Sequence, residues 1–331
     1  MSEFKSFSFE GLCRELSENE NTLIICHTRP DGDAIGSAFA LKAILQMTGS
    51  EAYCICADEV PKRLKFLTSS IQSSSLIDAI PEDFVPERVI TVDTASLSQM
   101  GKLESFFGSC VDIMIDHHRS GEPYADHYID VSAAATGEII YRIAEALLTS
   151  KGKSIPHSVC KCLYAAISSD TGCFKYSNVT PSTHIAAASL IKNGIDAAEI
   201  NRLLFDTKSP ARLHAEKVGL DSLSLRENGK IAVVALDFED IERLGVDHEE
   251  FDAFIDAARL VEGAQVAISV RRPSPSEDFR VSMRSMSGVD VSVICSRFGG
   301  GGHVKAAGCS IKADSIDEAV DAILSEVTKQ L

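Results

Sequence analysis

Residues 23–37 read LIICHTRPDGDAIGS, and the rest of the chain can be organised around them. The apolar run Leu23-Ile24-Ile25-Cys26 stops abruptly at His27. Pro30 and Gly32 break the chain into a polar turn, and a helical pattern starts near Ile35. The reading is strand, tight loop and helix, with His27, Asp31 and Asp33 gathered at the carboxyl end of the strand. In open α/β sheets that edge receives ligands. One imidazole and two carboxylates so close together make half of a metal site, of a type that suits Mn, Mg, Zn or Fe. The plainer alternative is that Asp33 caps the helix and Pro-Asp-Gly is an ordinary turn.

Outward from this stretch the pattern repeats. Val89–Val92 is β-rich and stops at Asp93, and 112–115 stops at Asp116-His117-His118. Ala52–Cys56 is a further β-like run. Helical patterns cover 6–20, 39–47 (with Gly49 ending the helix), 61–67, 134–148, 183–192 and 197–205. Residues 163–168 (LYAAIS) fit strand or helix and lead into a second acidic turn at Asp170. Strands alternating with helices predict a doubly wound, mostly parallel α/β sheet.

Beyond about residue 210 the texture changes. Strands are expected at 231–236, 265–270 and 279–283, and helices at 247–260, 291–298 and 316–331. RRPSPSED (271–278) reads as a hairpin loop, and Gly299-Gly300-Gly301-Gly302-His303 forms a glycine run. The expected organisation is 1–210 as a metal-binding catalytic domain and 211–331 as a smaller α/β substrate-binding domain, with the active site in the cleft between them.

Composition narrows the function. Of 331 residues 45% are hydrophobic and 24% charged, which describes a globular chain. Ten cysteines without a Cys-x-x-Cys pair read as reduced, mostly buried thiols. The first residues, MSEFKSFSFEGLCREL, lack the apolar core of a leader, and no run approaches the roughly 18 residues of a membrane span. A cytoplasmic protein without membrane association is expected. A net charge of −16 argues against a broad basic face for long duplex nucleic acid. Small anions remain compatible where local cations or metals offset the field.

Taken in order, His27-x-x-x-Asp31-x-Asp33, Val-Asp93-Thr, Asp116-His117-His118 and Ser-Asp170-Thr-Gly resemble the signature of the DHH phosphoesterase family. Gly299–His303 with Ala306-Ala307-Gly308 resembles the DHH-associated C-terminal domain. Length and the glycine block are similar to family members that trim oligonucleotides of about two to five residues and dephosphorylate 3′-phosphoadenosine 5′-phosphate (pAp). The resemblance implies two divalent ions, Mn²⁺ first, with Mg²⁺, Co²⁺ or Fe²⁺ compatible with the same donors. It places His27, Asp31 and Asp93 on one ion, and Asp33, Asp93, His117 and Asp170 on the other. Asp93 bridges, and a bridging water is the nucleophile. It implies that His118 contacts the scissile phosphate, with Asp116 orienting a histidine or lying apart. The glycine run Gly299, Gly300, Gly301 and Gly302, with His303, Arg284 and Lys305, is expected to hold the nucleotide, helped by a following helix N-terminus. Arg271 and Arg272 are weaker candidates. The implied partners are short single-stranded oligoribonucleotides and pAp, with a homodimer left open. The competing readings are a phosphodiesterase for pApA, pGpG or cyclic di-AMP, a manganese pyrophosphatase, a RecJ-like exonuclease and a nucleotide sensor without turnover.

Overall fold

A computed structural model of the chain describes residues 4–68, 80–81, 83–119, 123–149, 152–247 and 250–331. It divides into two compact units, Met1–Thr207 and Lys208–Leu331.

Among the described residues of the first unit, the strands are β1 (Thr22–Ile25), β2 (Ala52–Ile55), β3 (Arg88–Val92), β4 (Ile113–Asp116) and β5 (Asp126–Ile129). The helices are α1 (Phe9–Leu16), α2 (Gly32–Thr48), α3 (Lys65–Thr68), α4 (Glu104–Phe107), α5 (Thr136–Leu148), α6 (His157–Asp170), α7 (Pro181–Lys192) and α8 (Ala197–Asn201). The sheet runs β2-β1-β3-β4-β5, and every pairing is parallel. This is a doubly wound order whose direction of growth reverses between β1 and β3. β1, β3 and β4 are buried along their whole length, as parallel strands covered on both faces must be. Ile24, Ile90 and Ile115 face the larger core beneath α2, α5 and α6, whereas Leu23, Ile25 and Val89 face a smaller one with Met100. Helix α2 is buried on nearly all sides through Leu45 and ends at Gly49, whose φ of 116° only glycine adopts readily.

The second unit contains β6 (Leu223–Arg226), β7 (Ile231–Leu236), β8 (Val266–Arg271), β9 (Phe279–Ser285), β10 (Gly301–His303) and β11 (Ala306–Ile311). Its helices are α9 (Pro210–Asp221), α10 (Phe238–Leu244), α11 (Asp252–Arg259), α12 (Val291–Ser296) and α13 (Ile316–Val327). The sheet order is β10-β11-β9-β8-β7-β6, with β7 and β8 parallel and the other pairs antiparallel. Its two faces carry separate cores, one with α12 and α13, the other with α9 and α11.

The run 163–168, open between strand and helix on sequence alone, is helical, inside α6, so Asp170 closes a helix. Two readings need correction. The helix after β1 is capped by Asp31 rather than Asp33: its side chain accepts from the backbone N–H groups of Asp33 and Ala34. The glycine run leads into the β10–β11 hairpin rather than into a helix. A Cβ on Gly300 would strike the backbone of Gly308, and one on Gly302 would lie 2.5 Å from the carbonyl oxygen of Ala306. Those two glycines let strands approach. All ten cysteines are free thiols. Among the described residues, no helix is long and apolar enough to cross a membrane.

Candidate metal centre

The carboxyl ends of β1, β3 and β4 lie side by side, so His27, Asp93 and the Asp116-His117-His118 turn emerge at one edge. The β1–β3 boundary is the switch point, where two loops part in opposite directions and leave a crevice. Helix α2 starts against this edge and brings Asp31 and Asp33. Helix α6 ends there with Asp170.

The side chains fall into overlapping groups. His27, Asp31 and Asp93 form one, Asp33, His117 and Asp170 a second, and Asp93, Asp116, His117 and His118 a third; within each, donor atoms lie within 4.8 Å of one another. Asp93 joins them. Its Oδ2 is 3.5 Å from His27 Nε2, while its Oδ1 is 3.8 Å from His117 Nε2 and 3.7 Å from His118 Nδ1. The two oxygens of one carboxylate thus face different halves of the cluster. His117 Nε2 also lies 3.2 Å from Asp170 and 3.9 Å from Asp33, and His27 Nε2 is 3.8 Å from Asp31. Asp93 has a φ of 54°, an uncommon value for a non-glycine residue and one that recurs at functional sites.

Both imidazoles are turned the same way. His27 Nδ1 lies 2.7 Å from the Thr28 carbonyl, and His117 Nδ1 lies 3.3 Å from that of Ala133. Donation from Nδ1 leaves Nε2 to face the carboxylates, where its lone pair becomes available to a cation once its proton has left, as in histidines that bind metal. His117 Nε2 is buried without a hydrogen-bond partner. A buried, unpartnered nitrogen amid three carboxylates is what a cation would satisfy, so the donor set fits a divalent metal with N and O ligands.

Electrostatics agrees. Burial, then repulsion from Asp93 and Asp170, holds the Asp33 carboxyl well above its ordinary value. Burial raises Asp93 as well, against the pull of His27. Burial disfavours charge on His27, but Asp31 and Asp93 outweigh it and push the imidazole up to about 11. His117 reaches about 10 by the same balance, with Asp170 and Asp33 as its main partners. Without a cation these carboxylates lean on protons and imidazolium for charge balance.

Asp116 belongs to the third group, and its contacts tie it to the turn that carries the histidines. Its Oδ1 lies 2.8 Å from His118 Nδ1 and accepts the backbone N–H groups of His117 and His118. It fixes the DHH turn and orients His118, whose basicity it raises.

Sequence reasoning overlooked the residues at the start of α5. Asp33 accepts the N–H of Thr136 at 2.7 Å through Oδ2, and that of Gly137 at 2.8 Å through Oδ1. Gly137 packs so tightly that a Cβ would lie 2.5 Å from the Ala166 methyl. Asn178 Nδ2 donates to the carbonyls of Ala134 and Asp170, tying the end of α6 to this segment. The small-residue run Ala133-Ala134-Ala135-Thr136-Gly137 ahead of a helix was the available signal.

The remaining candidates belong to the second unit. Arg284 lies in β9, opposite Ala306 of β11, and donates to the Met283 carbonyl. Lys305 is exposed in the β10–β11 turn. The side chain of His303 lies outside the described residues. Arg272 is occupied by Asp237 at 2.7 Å and lies over the Phe279 ring; Arg271 lies over Phe251.

Comparison with known proteins agrees with this geometry. Residues 21–167 match the N-terminal domain of the DHH family and 228–329 match the DHHA1 domain. The bifunctional oligoribonuclease and PAP phosphatase NrnA of Thermus thermophilus is 31% identical, over 93% of this chain and 89% of that protein. The chain belongs to the DHH family. A solved exopolyphosphatase-related protein from Bacteroides fragilis has the same fold, with a TM-score of 0.85 at 21% identity over 97% of this chain and 95% of that one. Manganese-bound exonuclease RecJ shares the fold more distantly, with a TM-score of 0.51 at 14% identity over 99% of this chain and 95% of that one.

Proposed function

We propose that this member of the DHH family is a metal-dependent phosphoesterase that hydrolyses very short oligoribonucleotides to mononucleotides and removes the 3′-phosphate of pAp. One observation carries the chemistry: carboxylates and imidazoles from separate stretches converge at the β1–β3 switch point, with one oxygen of Asp93 toward each half. The NrnA relative, aligned over most of both chains, supports the substrate class.

In this reading His27, Asp31 and Asp93 hold one divalent ion, and Asp33, Asp93, His117 and Asp170 hold the other, Mn²⁺ being the first choice. Such a pair offsets phosphate charge and lowers the pKa of water to near neutrality. The protein supplies the rest. Asp116 keeps the proton of His118 on Nδ1 and stabilises the ring when it is charged. His118, whose pKa the hydrogen bond to Asp116 raises, offers Nε2–H when protonated to the scissile phosphate or the departing oxygen. Backbone N–H groups of α5 hold Asp33 so that it need not reorganise during the reaction. Arg284, Lys305, His303 and the glycine hairpin are the proposed contacts for the nucleotide.

The test is a panel of pAp, RNAs of two to five and of twenty-four nucleotides, pApA, cyclic di-AMP and pyrophosphate, each with Mn²⁺ and after chelation. Turnover of pAp and the shortest RNAs, lost on chelation, is expected. Turnover of pyrophosphate alone, or rates indifferent to chelation, would overturn the assignment.

A further inference from the structure

We propose that Thr136 is a positioning residue of the metal centre, its hydroxyl setting how the shared carboxylate of Asp93 is divided between the two halves. The inference rests on the two-metal reading above and adds a residue that offers no ligand itself.

Thr136 is completely buried at the first position of α5. Its backbone N–H is committed to Asp33 Oδ2, at 2.7 Å. Its hydroxyl donates to Asp93 Oδ1, at 3.1 Å. One residue therefore grips carboxylates from two different elements, the first turn of α2 and the end of β3. The oxygen it holds is the one facing His117 and His118, and the other is left toward His27. Among the described residues no other side chain or backbone group donates a hydrogen bond to Asp93 Oδ1, so without this hydroxyl the carboxylate could rotate about its Cβ–Cγ bond. The Thr136 hydroxyl is the neutral donor that fixes this rotation, and it does so without adding a charge that would compete with a cation. Its backbone is held independently. Asn178 binds the Ala134 carbonyl, and Glu138 accepts the Ala134 N–H while also binding Ser182 and Thr183. The hydroxyl can therefore be removed without dismantling the segment that carries it.

Groups of this kind, behind the ligands, typically account for about 10–100-fold in metal affinity or activity. Thr136→Val keeps the shape and deletes the donor; Thr136→Ser keeps the donor and deletes the methyl. Mn²⁺ titration by calorimetry without substrate is the primary reading, with thermal melting in chelator as a check on folding. The expected result is a loss of roughly 10–100-fold in Mn²⁺ affinity for Thr136→Val, most of it recovered in Thr136→Ser, with unaltered melting of both metal-free proteins. At saturating Mn²⁺ the Val variant should regain much of its kcat. Equal affinity in Thr136→Val and the unmodified protein would overturn the inference, as would equal losses in Val and Ser. If the unmodified protein binds no Mn²⁺, the two-metal reading itself fails. If it binds two ions and Thr136→Val matches it, only the inference fails.

Discussion

The carboxyl edge of the first sheet and the glycine hairpin of the second unit are both candidate functional regions, yet they are built in opposite ways. At the sheet edge, functional atoms are buried and interlocked: Asp33 accepts three hydrogen bonds, from Ser37, Thr136 and Gly137, and Asp93 is held by Thr136. At the hairpin, Lys305 is exposed and has no acidic partner among the described residues, and the backbone at Gly301 faces open space. A cluster of like charges persists only if the fold fixes each group before the cation arrives. A surface that takes up a flexible anion can leave its groups in water and order them on binding. The first region should therefore answer mutation with large losses, and the second with modest, substrate-dependent ones.

The largest effect is expected at Asp93. Replacing it by Ala removes the oxygens shared by both halves, and hydrolysis of a dinucleotide and of pAp should fall to background. The loss should exceed the roughly 100-fold upper range for groups behind the ligands. Retained activity on either substrate would break the link between the cluster and catalysis.

Metal binding at this edge should also move protons. His27 and His117, at about 11 and about 10 without a cation, carry protons at neutral pH. A cation takes the Nε2 lone pair only after the proton has left, so binding releases protons and weakens as pH falls. Calorimetry in two buffers of different protonation enthalpy reads the release directly. Net proton uptake would show that these imidazoles are not ligands.

At the hairpin, Gly301→Ala separates recognition from fold. Gly300 and Gly302 are required by the close approach of β10 and β11, whereas a Cβ on Gly301 meets nothing within 4 Å. The variant should fold normally and raise KM for pAp several-fold, with no change for the small ester bis-p-nitrophenyl phosphate. An equal effect on both esters would deny the hairpin a role in holding the nucleotide.

The same contrast explains what could be read in advance. Asp93 and the DHH turn were visible because an apolar strand that stops at a charged residue leaves a sharp break in the pattern. The strands β1, β3 and β4 were visible because burial on both faces demands continuous Val and Ile. β5, reading DHYI and only partly buried, and β6, an edge strand reading LSLR, carry no such signal. β10 is Gly-Gly-His and shows no pattern at all, so the glycine run was assigned to an anion-binding loop before a helix. The 163–168 run was ambiguous because helix α6 is buried too thoroughly to show a polar face. Thr136 was hidden because its contribution depends on α5 docking against α2 and β3, contacts more than forty positions away in sequence.

The smallest effect is expected at Arg272, which the sequence alone left as a weak candidate for phosphate. Its guanidinium is spent within the unit. Nε donates to Asp237 at 2.7 Å, Nη2 lies 3.5 Å from Glu239, and the group sits over Phe279, 5.1 Å from the ring centre. Asp237 also caps α10, so the pair ties that helix to the end of β8. A phosphate would have to displace a carboxylate already in contact, whereas Lys305 has none to displace among the described residues. Arg272→Ala should therefore leave KM for pAp within about twofold. Losing one partly exposed ion pair and one cation–ring contact should cost about 1 kcal/mol. In a protein of this size that lowers the melting temperature by roughly 1–2 °C. Lys305→Ala should do the reverse, raising KM several-fold with no change in melting. If Arg272→Ala raised KM for pAp more than Lys305→Ala did, the β10–β11 turn would lose its claim to the nucleotide, and the β8 end of the sheet would take it over.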